Sequence, residues 1–487
     1  MRVLLVSANR ERIPDPIFPL GLAYVAAAVG GAGHELAVED LCFAARPLGR
    51  LRQRIRDFRP EVIGLSLRNL DNAAYPLTVD YLADHRAVMQ TVRESTDAPV
   101  VLGGSAFSIA PGPYLQELLA DYGVVGEGER GFVDLLASLG RKAGTRGIPG
   151  VITATGPERR QLPARPAFIT IPWEGLRPAR HLLDYARYLR RGGMGNVQTK
   201  RGCVFRCRYC TYPLLEGNRF RCREPEDVAD ELVELQRTYG PHPIFFVDSI
   251  LNFPMDHVES LCEAILSRNL RLRWSCYATP VKLGAEQAEL MARAGCEGIE
   301  LGTDAADDGQ LRHLGKSFDA DTVRHANDAC KAAGLSVCHT VIFGAPGERP
   351  ESVRNTVRAL QAMEPTAVVA MTGVRVYPGT PLARDLVEKG SIHPGGPGLE
   401  PTFYIDPAVQ DFLPGYLQQV ARETGNWVLP GLSPPILPAS QRVLRALGVS
   451  GPLWKLLRRS WMRRLSRGKY RRPNTGWGVA RTGRRLL

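Results

Sequence analysis

Residues 196–213 read Asn196-Val-Gln-Thr-Lys200-Arg-Gly-Cys203-Val-Phe-Arg-Cys207-Arg-Tyr-Cys210-Thr-Tyr-Pro213. A short strand-like run is followed at once by three closely spaced cysteines. Three thiolates on one loop can ligate three irons of a cubane iron–sulfur cluster and leave the fourth iron without a protein ligand, open to substrate. Zinc is the main rival. A structural zinc site takes four ligands, however, and neither a second Cys-x-x-Cys nor a nearby His pair completes one; Cys222 is the only neighbouring cysteine. A cluster that only carries electrons would ordinarily use a fourth cysteine. The remaining cysteines, Cys42, Cys262, Cys276, Cys296, Cys330 and Cys338 with Cys222, are scattered and read as buried small apolar residues of a reducing compartment.

Working outward, the loop opens a series in which strand-like runs alternate with helical stretches. NVQTK, IFFVD, LRWSCYA, GIELGTD, LSVCHTVIFG and AVVAMTGVRV are separated by helical patterns over 225–238, 255–268, 284–294, 319–333 and 349–362. Six strand–helix units over 195–390 predict a partial (β/α)6 barrel, whose chemistry sits at the carboxyl ends of its strands. The cysteine loop follows the first strand and so belongs to that face. Residues 1–145 form a second alternating series, with VLLVSA, LAVED, VIGLSL, PVVLGG and GVVGEG as strands. This predicts an α/β doubly wound, flavodoxin-like parallel sheet, whose ligands bind beyond the carboxyl ends of the strands. Those ends are Ser7-Ala-Asn9, Ser66-Leu-Arg68-Asn69, Gly103-Gly104-Ser105 and Gly126-Glu127-Gly128. A glycine at one strand end makes a turn. Small and polar residues at four of them favour an edge where a large planar or phosphate-bearing ligand approaches the backbone. Residues 146–194, rich in Pro, Gly and Arg, read as a linker with one crossing strand, and 391–487 as a mostly helical extension.

The chain has 487 residues, 44% hydrophobic and 23% charged, as ordinary globular proteins do. No run of 18 or more apolar residues could span a bilayer, and MRVLLVSANRER lacks a cleavage site, so a cytoplasmic protein is expected. The net charge of +12 is local: Ser450–Leu487 holds twelve Lys and Arg and no Asp or Glu. There Leu453, Leu457, Trp461 and Leu465 recur every four residues between basic side chains. Such a helix lies on an anionic membrane surface, here the inner face, or docks onto the protein with a solvated cationic edge. Nucleic acid is disfavoured, because no aromatic-interleaved stripe accompanies the charge.

The Cys-x-x-x-Cys-x-x-Cys loop, with Tyr209 just before the last cysteine, resembles the radical S-adenosylmethionine (SAM) superfamily over about 195–385. Further matches are Phe246-Val-Asp248, Glu300-Leu-Gly-Thr-Asp304, Leu314-Gly-Lys316, Gly344-Ala-Pro346-Gly347-Glu348 and Tyr377-Pro-Gly-Thr380. The resemblance implies that Cys203, Cys207 and Cys210 hold a four-iron four-sulfur cluster. It also implies that SAM lies against Tyr209, Asp248, Asp304, Gly344, Pro346 and Gly347, with Asp304 at its ribose. Thr303-Asp304 stands where many relatives have Glu-Ser. The sheet in front of the barrel, with Pro19-Leu20-Gly-Leu22, is similar to the cobalamin-binding domain of a large radical SAM subclass. This implies cobalamin along Ser7, Asn9, Leu20, Ser66, Arg68, Asn69, Gly103, Gly104, Ser105, Gly126, Glu127 and Gly128. The Asp-x-His-x-x-Gly motif of cobalamin methyltransferases is absent, so no His ligates cobalt from below. The layout also resembles cobalamin-binding radical SAM proteins of lipid biosynthesis. The implied activity is C-methylation of an unactivated carbon of a lipid or natural product by a 5′-deoxyadenosyl radical and methylcobalamin. A flavodoxin or ferredoxin would donate the electron. Cobalamin-assisted cyclisation, rearrangement or carbon–carbon coupling without methyl transfer is the alternative, and a non-catalytic iron–sulfur redox or scaffold protein a second one. No catalytic proton or hydrogen donor is assigned.

Overall fold

The computed structural model describes residues 1–154, 168, 176–433 and 438–458. The first sheet contains β1 (Arg2–Ser7), β2 (Glu35–Asp40), β3 (Val62–Ser66), β4 (Val100–Gly103), β5 (Tyr122–Val124) and β6 (Val151–Thr153). Their order is β2-β1-β3-β4-β5-β6. β1 is central, and from Val3 onward every residue is buried, because helices cover both faces of a parallel sheet. One face packs Leu4, Val6, Ile63, Leu65 and Leu102, and the other Val3, Leu5, Val62 and Val101. Strands β1 to β5 are parallel, as the alternating pattern predicts, and β6 adds an antiparallel edge. That edge is the crossing strand of the 146–194 segment. The strand order reverses between β1 and β3, which opens a crevice beyond their carboxyl ends.

The second sheet begins with β7 (Gly195–Val197). A small antiparallel pair, β8 (Lys200–Arg201) and β9 (Arg221–Cys222), brackets the cysteine loop. The series continues with β10 (Ile244–Phe246), β11 (Trp274–Ala278), β12 (Cys296–Asp304), β13 (Ser336–Phe343) and β14 (Ala367–Thr372). β15 (Val374–Arg375) and β16 (Phe403–Tyr404) pair outside the sheet, and β17 (Trp427–Val428) returns to it. The order β17-β14-β13-β12-β11-β10-β7 is parallel throughout. β7 and β17 do not meet, so the barrel is open. The six expected strands are all present, and the extension supplies a seventh.

Side chains on the two faces of this sheet differ in exposure. On the helix side Cys276, Ile299, Leu301, Val337 and Val341 are buried. On the inner side Tyr277 is 40% exposed, and Glu300, Gly302, Thr340, Ile342, Val369 and Met371 are partly exposed. A filled barrel would bury all of these. This one encloses a hollow. The 3-10 turn Leu453–Arg458 closes its lower end, where Leu457 packs on Cys338 and Ala367 beside Trp454.

The two sheets share packing. Phe18, Leu20 and Tyr24 of the first unit enter the helix-side core of the barrel with Tyr185 and Tyr188. Phe18 meets both tyrosine rings edge-on, at 5.0 and 5.5 Å. Among the described residues no helix is long and apolar enough to cross a membrane.

Candidate active site

The cysteine loop is pinned at several points. Cys203 N donates to Gly217 O at 3.1 Å, Arg208 N to Leu314 O at 3.0 Å, and Leu382 N to Arg208 O at 2.9 Å. Gly202 enters the loop with φ +91°, and a β-carbon there would lie 1.9 Å from Arg219 O, so only glycine fits. The three thiols come close enough to feel one another. Burial pushes Cys210 up to about 12, and the like charges of Cys207 and Cys203 add to it. Burial also raises Cys203 and Cys207, although Lys316 opposes this at both. Thiols that resist ionisation when bare become ligands when a metal displaces their protons. None of the ten cysteines is in a disulfide. Three free thiols on a pinned loop, without a fourth cysteine, fit a cubane cluster with one open iron.

Above the loop lies the carboxyl end of β12. Asp304 Oδ2 accepts from the Tyr209 hydroxyl and pairs with Lys316. Burial alone would lower the Lys316 ammonium; Asp304 and Cys207 overcome it and hold the group above its ordinary range. Lys316 was visible only as part of a motif. The structure makes it the cation that links the loop to Asp304. Asp304 has φ +60°, and the β12–β13 register shifts beside it. Behind the shift Thr303 Oγ1 lies 2.7 Å from His339 Nδ1, and His339 Nε2 lies 3.2 Å from Asn327 Oδ1. At the end of β13 Gly344 and Gly347 take φ +91° and +80°. Gly344 N donates to the Glu348 carboxylate, and Gly347 N to Asp406 Oδ2 at 2.7 Å. Pro346 is half-buried between them. These backbones approach where side chains would obstruct.

Asp248 behaves otherwise than the motif implies. It is fully buried and accepts from Thr199 N at 2.7 Å, Thr199 Oγ1 at 2.6 Å and Lys200 N at 3.2 Å, with Lys200 Nζ at 3.4 Å. Its oxygens are used inside the protein, ordering the segment that feeds the cysteine loop, instead of facing an open space.

At the edge of the first sheet Asn9, Arg68 and Asn69 line one small pocket with Tyr81 and His85. Arg68 is held below its ordinary pKa by burial, with Tyr277, Tyr212, Tyr188 and Tyr81 opposing. No carboxylate among the described residues pairs with it. These tyrosines come from both units, so Arg68 lies where sheet edge and barrel face each other. Gly104, at φ +92°, runs against Leu67, whose carbonyl oxygen would be 2.5 Å from a β-carbon. The Ser105 hydroxyl donates to Arg68 O at 2.5 Å, and Ser66 ends β3 beside Gly103 of β4. Gly126 N donates to Ser108 Oγ at 2.9 Å, and Gly128 starts the helix Gly128–Gly140.

Three of the expected edge residues turn inward. The Leu20 side chain lies in the shared core. Ser7 is buried and hydrogen-bonds Asp40. The Glu127 carboxylate is taken by Arg221 at 2.5 Å and Arg201 at 3.4 Å across the domain boundary. The small residues and the uncompensated Arg68 cation fit a large cofactor at this edge; these three support it from behind. The tail helix read from Leu453 onward is docked up to Arg458, and Trp461 and Leu465 lie outside the described residues. Its described part sits in the barrel.

Comparison with known proteins agrees with this geometry. Residues 197–360 match the Radical SAM superfamily and residues 6–136 the B12 binding domain. Tryptophan 2-C-methyltransferase of Streptomyces laurentii is 30% identical over 447 residues, covering 78% of this chain and 74% of the relative. Hopanoid C-3 methylase of Methylococcus capsulatus is 26% identical over 369 residues, covering 74% and 67%. The structure of the radical S-adenosylmethionine methyltransferase TsrM from Kitasatospora setae, with cobalamin and an iron–sulfur cluster bound, superposes with a TM-score of 0.83 at 25% identity, covering 96% of this chain and 99% of that one. With both family matches on one chain and a relative of 30% identity, the chain belongs to the cobalamin-dependent radical SAM methyltransferase family.

Proposed function

We propose that this enzyme attaches a methyl group to an unactivated carbon of a small natural-product substrate held in the hollow of the barrel. The observation that carries this reading is the meeting of two edges: ion pairs from Arg201 to Glu127 and Glu129 and from Arg375 to Asp71 bring the carboxyl ends of the two sheets together. When bound, the cluster and SAM supply a radical oxidant, and cobalamin supplies the methyl group. Cys203, Cys207 and Cys210 would hold the cluster. Tyr209, Lys316 and Asp304 would orient SAM, with the open backbones of Gly344, Pro346 and Gly347 beside its adenine. Asp248 supports this site by ordering Thr199 and Lys200. Asn9, Ser66, Arg68, Asn69, Gly103, Gly104, Ser105, Gly126 and Gly128 would line the cobalamin, supported by Ser7, Leu20 and Glu127. The protein's part is to orient the reactants and exclude water from a closed space. A flavodoxin- or ferredoxin-like protein would reduce it.

A soluble substrate is favoured over a lipid because the described part of the basic tail is inside the barrel, with Leu457 buried. The test is anaerobic incubation of the reduced, cofactor-loaded enzyme with SAM and candidate substrates. Methylated product with both 5′-deoxyadenosine and S-adenosylhomocysteine is expected. Turnover yielding 5′-deoxyadenosine without S-adenosylhomocysteine would replace methylation by cyclisation or rearrangement. Absence of both would sink the reading.

A further inference from the structure

We propose that Glu300 recognises a positively charged amine of the substrate from the wall of the hollow, so that the substrate class is small, amine-bearing molecules. This rests on the hollow being the substrate chamber. Glu300 stands near the middle of β12, directly beside Tyr277 of β11 and Cys338 of β13. Its Oε1 accepts from Trp454 Nε1 at 2.8 Å. The Trp454 ring lies against Gly298, where a β-carbon would be 3.0 Å away, so Glu300 sits just above the floor of the chamber.

What surrounds this carboxylate lacks a counter-charge. Glu297, earlier on the same strand, pairs with Arg273 at 2.6 Å and Lys455 at 2.5 Å. Glu300 has no such partner: among the described residues its one polar stabiliser is the indole N–H. Glu300 is partly exposed, but only into the enclosed hollow, where a carboxylate without a cation is costly and an acid is ordinarily paired or heavily hydrogen-bonded. Burial holds this one up to about 7, with Trp454 pulling the other way. Holding Trp454 in place does not require an acid, since any acceptor serves. An arriving ammonium would complete the pair and keep the group ionised, as a charge-assisted hydrogen bond. The rest of the chamber offers uncharged contacts: the Tyr277 ring, Thr340, Ile342, Val369 and Met371. Tyr277, paired with Glu300 across β11 and β12, is raised chiefly by that carboxylate, with Arg68 opposing. Aromatic rings suit such walls, and Tyr277 already stacks edge-on with Phe245 at 5.0 Å.

The experiment uses the cofactor-loaded protein and three probes that share an indole ring, the size of the ring already in this hollow, and differ in end group: tryptamine, tryptophol and indole-3-acetate. Equilibrium dialysis should show tryptamine bound about tenfold more tightly than tryptophol, with indole-3-acetate weakest. Glu300→Gln keeps an acceptor for Trp454 and should erase the preference for tryptamine. Trp454→Phe keeps the floor, removes the N–H, and should retain the preference. Three results would overturn the proposal: tryptamine binding no better than tryptophol in the unaltered protein, a preference that survives Glu300→Gln, or one lost equally in Trp454→Phe. Reductive SAM cleavage in the same preparations, without any probe, reports on the proposed function separately. A protein that cleaves SAM but ignores the amine loses only this inference.

Discussion

Asp304 joins three demands at one position: a left-handed backbone, the Tyr209 hydroxyl and the Lys316 ammonium. Replacing it with Asn leaves Lys316 as a buried cation beside a neutral amide. Removing one partner of such a pair costs about 3–5 kcal/mol, and Asp304→Asn should show this loss in chemical denaturation together with weaker SAM binding. Gly202 makes a sharper case, since its β-carbon would strike Arg219 O. Gly202→Ala should cost at least about 2 kcal/mol and leave the purified protein with little iron, measured as iron per chain; full iron content would contradict the loop geometry. Spacing makes the three cysteines legible in the sequence because their ligand geometry is local. The partners of Asp248 and Glu127 are not legible there for the opposite reason. Their partners, Thr199 and Arg221, lie far away along the chain, and only the fold reveals that these acids are already spent on the protein's own cations and amides.

At the scale of elements, the alternating pattern yields every strand that a helix follows, down to the three residues of β5, β7 and β10, and misses β17. That strand has two residues, too few for any periodicity to register, and joins the sheet through contacts made elsewhere in the chain. The register shift in β12 is equally silent in sequence. It is held by Thr303 and His339, so Thr303→Val, of similar shape, should cost about 1–3 kcal/mol by leaving the imidazole without its partner, read as a lowered denaturation midpoint. The turn Leu453–Arg458 reads in the sequence as the start of either a surface helix or a docked one, because four-residue spacing is the same whether the apolar face meets lipid or protein. Ending the chain at Gly448 removes Leu457 and Trp454 from their seat. At about 1.5–3 kcal/mol per buried large side chain and about 1 °C per kcal/mol for a chain of 487 residues, the melting temperature should fall by roughly 3 °C or more. An unchanged melting temperature would mean that the turn is not seated in solution.

Across the whole molecule, ion pairs tie the sheets together: Arg201 to Glu129 at 2.6 Å, Arg375 to Asp71 at 2.8 Å, and Tyr188 donates to Asp40 at 2.7 Å. Two units that each fold by a familiar pattern thereby become one body. Their junction was the least legible part of the sequence, because its members come from both ends of the chain. Titration of buried groups should show in global stability. Burial raises Glu300 to about 7 and Glu348 to about 8 from 4.5, so the folded state keeps protons that the unfolded chain releases. Their contribution is full below pH about 4.5 and declines as pH rises through 7 and 8. Burial lowers His85 and His257 to about 4 and His339 to about 3 from 6.5. Their contribution is full above pH 6.5 and declines on acidification. The two sets oppose each other between pH 4.5 and 6.5, so the cofactor-free protein should melt highest there and lose stability from pH 6.5 to 8. Glu348→Gln should flatten that upper limb, and a melting temperature that rises towards pH 8 would contradict the assignment.

The floor of the hollow is supplied by residues 453–458, outside the sheet they close. Depth and chemistry are therefore written in different parts of the gene. Changes confined to that short stretch would deepen, shorten or recharge the chamber while the cysteine loop and both strand edges stayed as they are. A lineage of such enzymes can move between reactants of different length by rewriting those six residues, without relearning how to handle a radical.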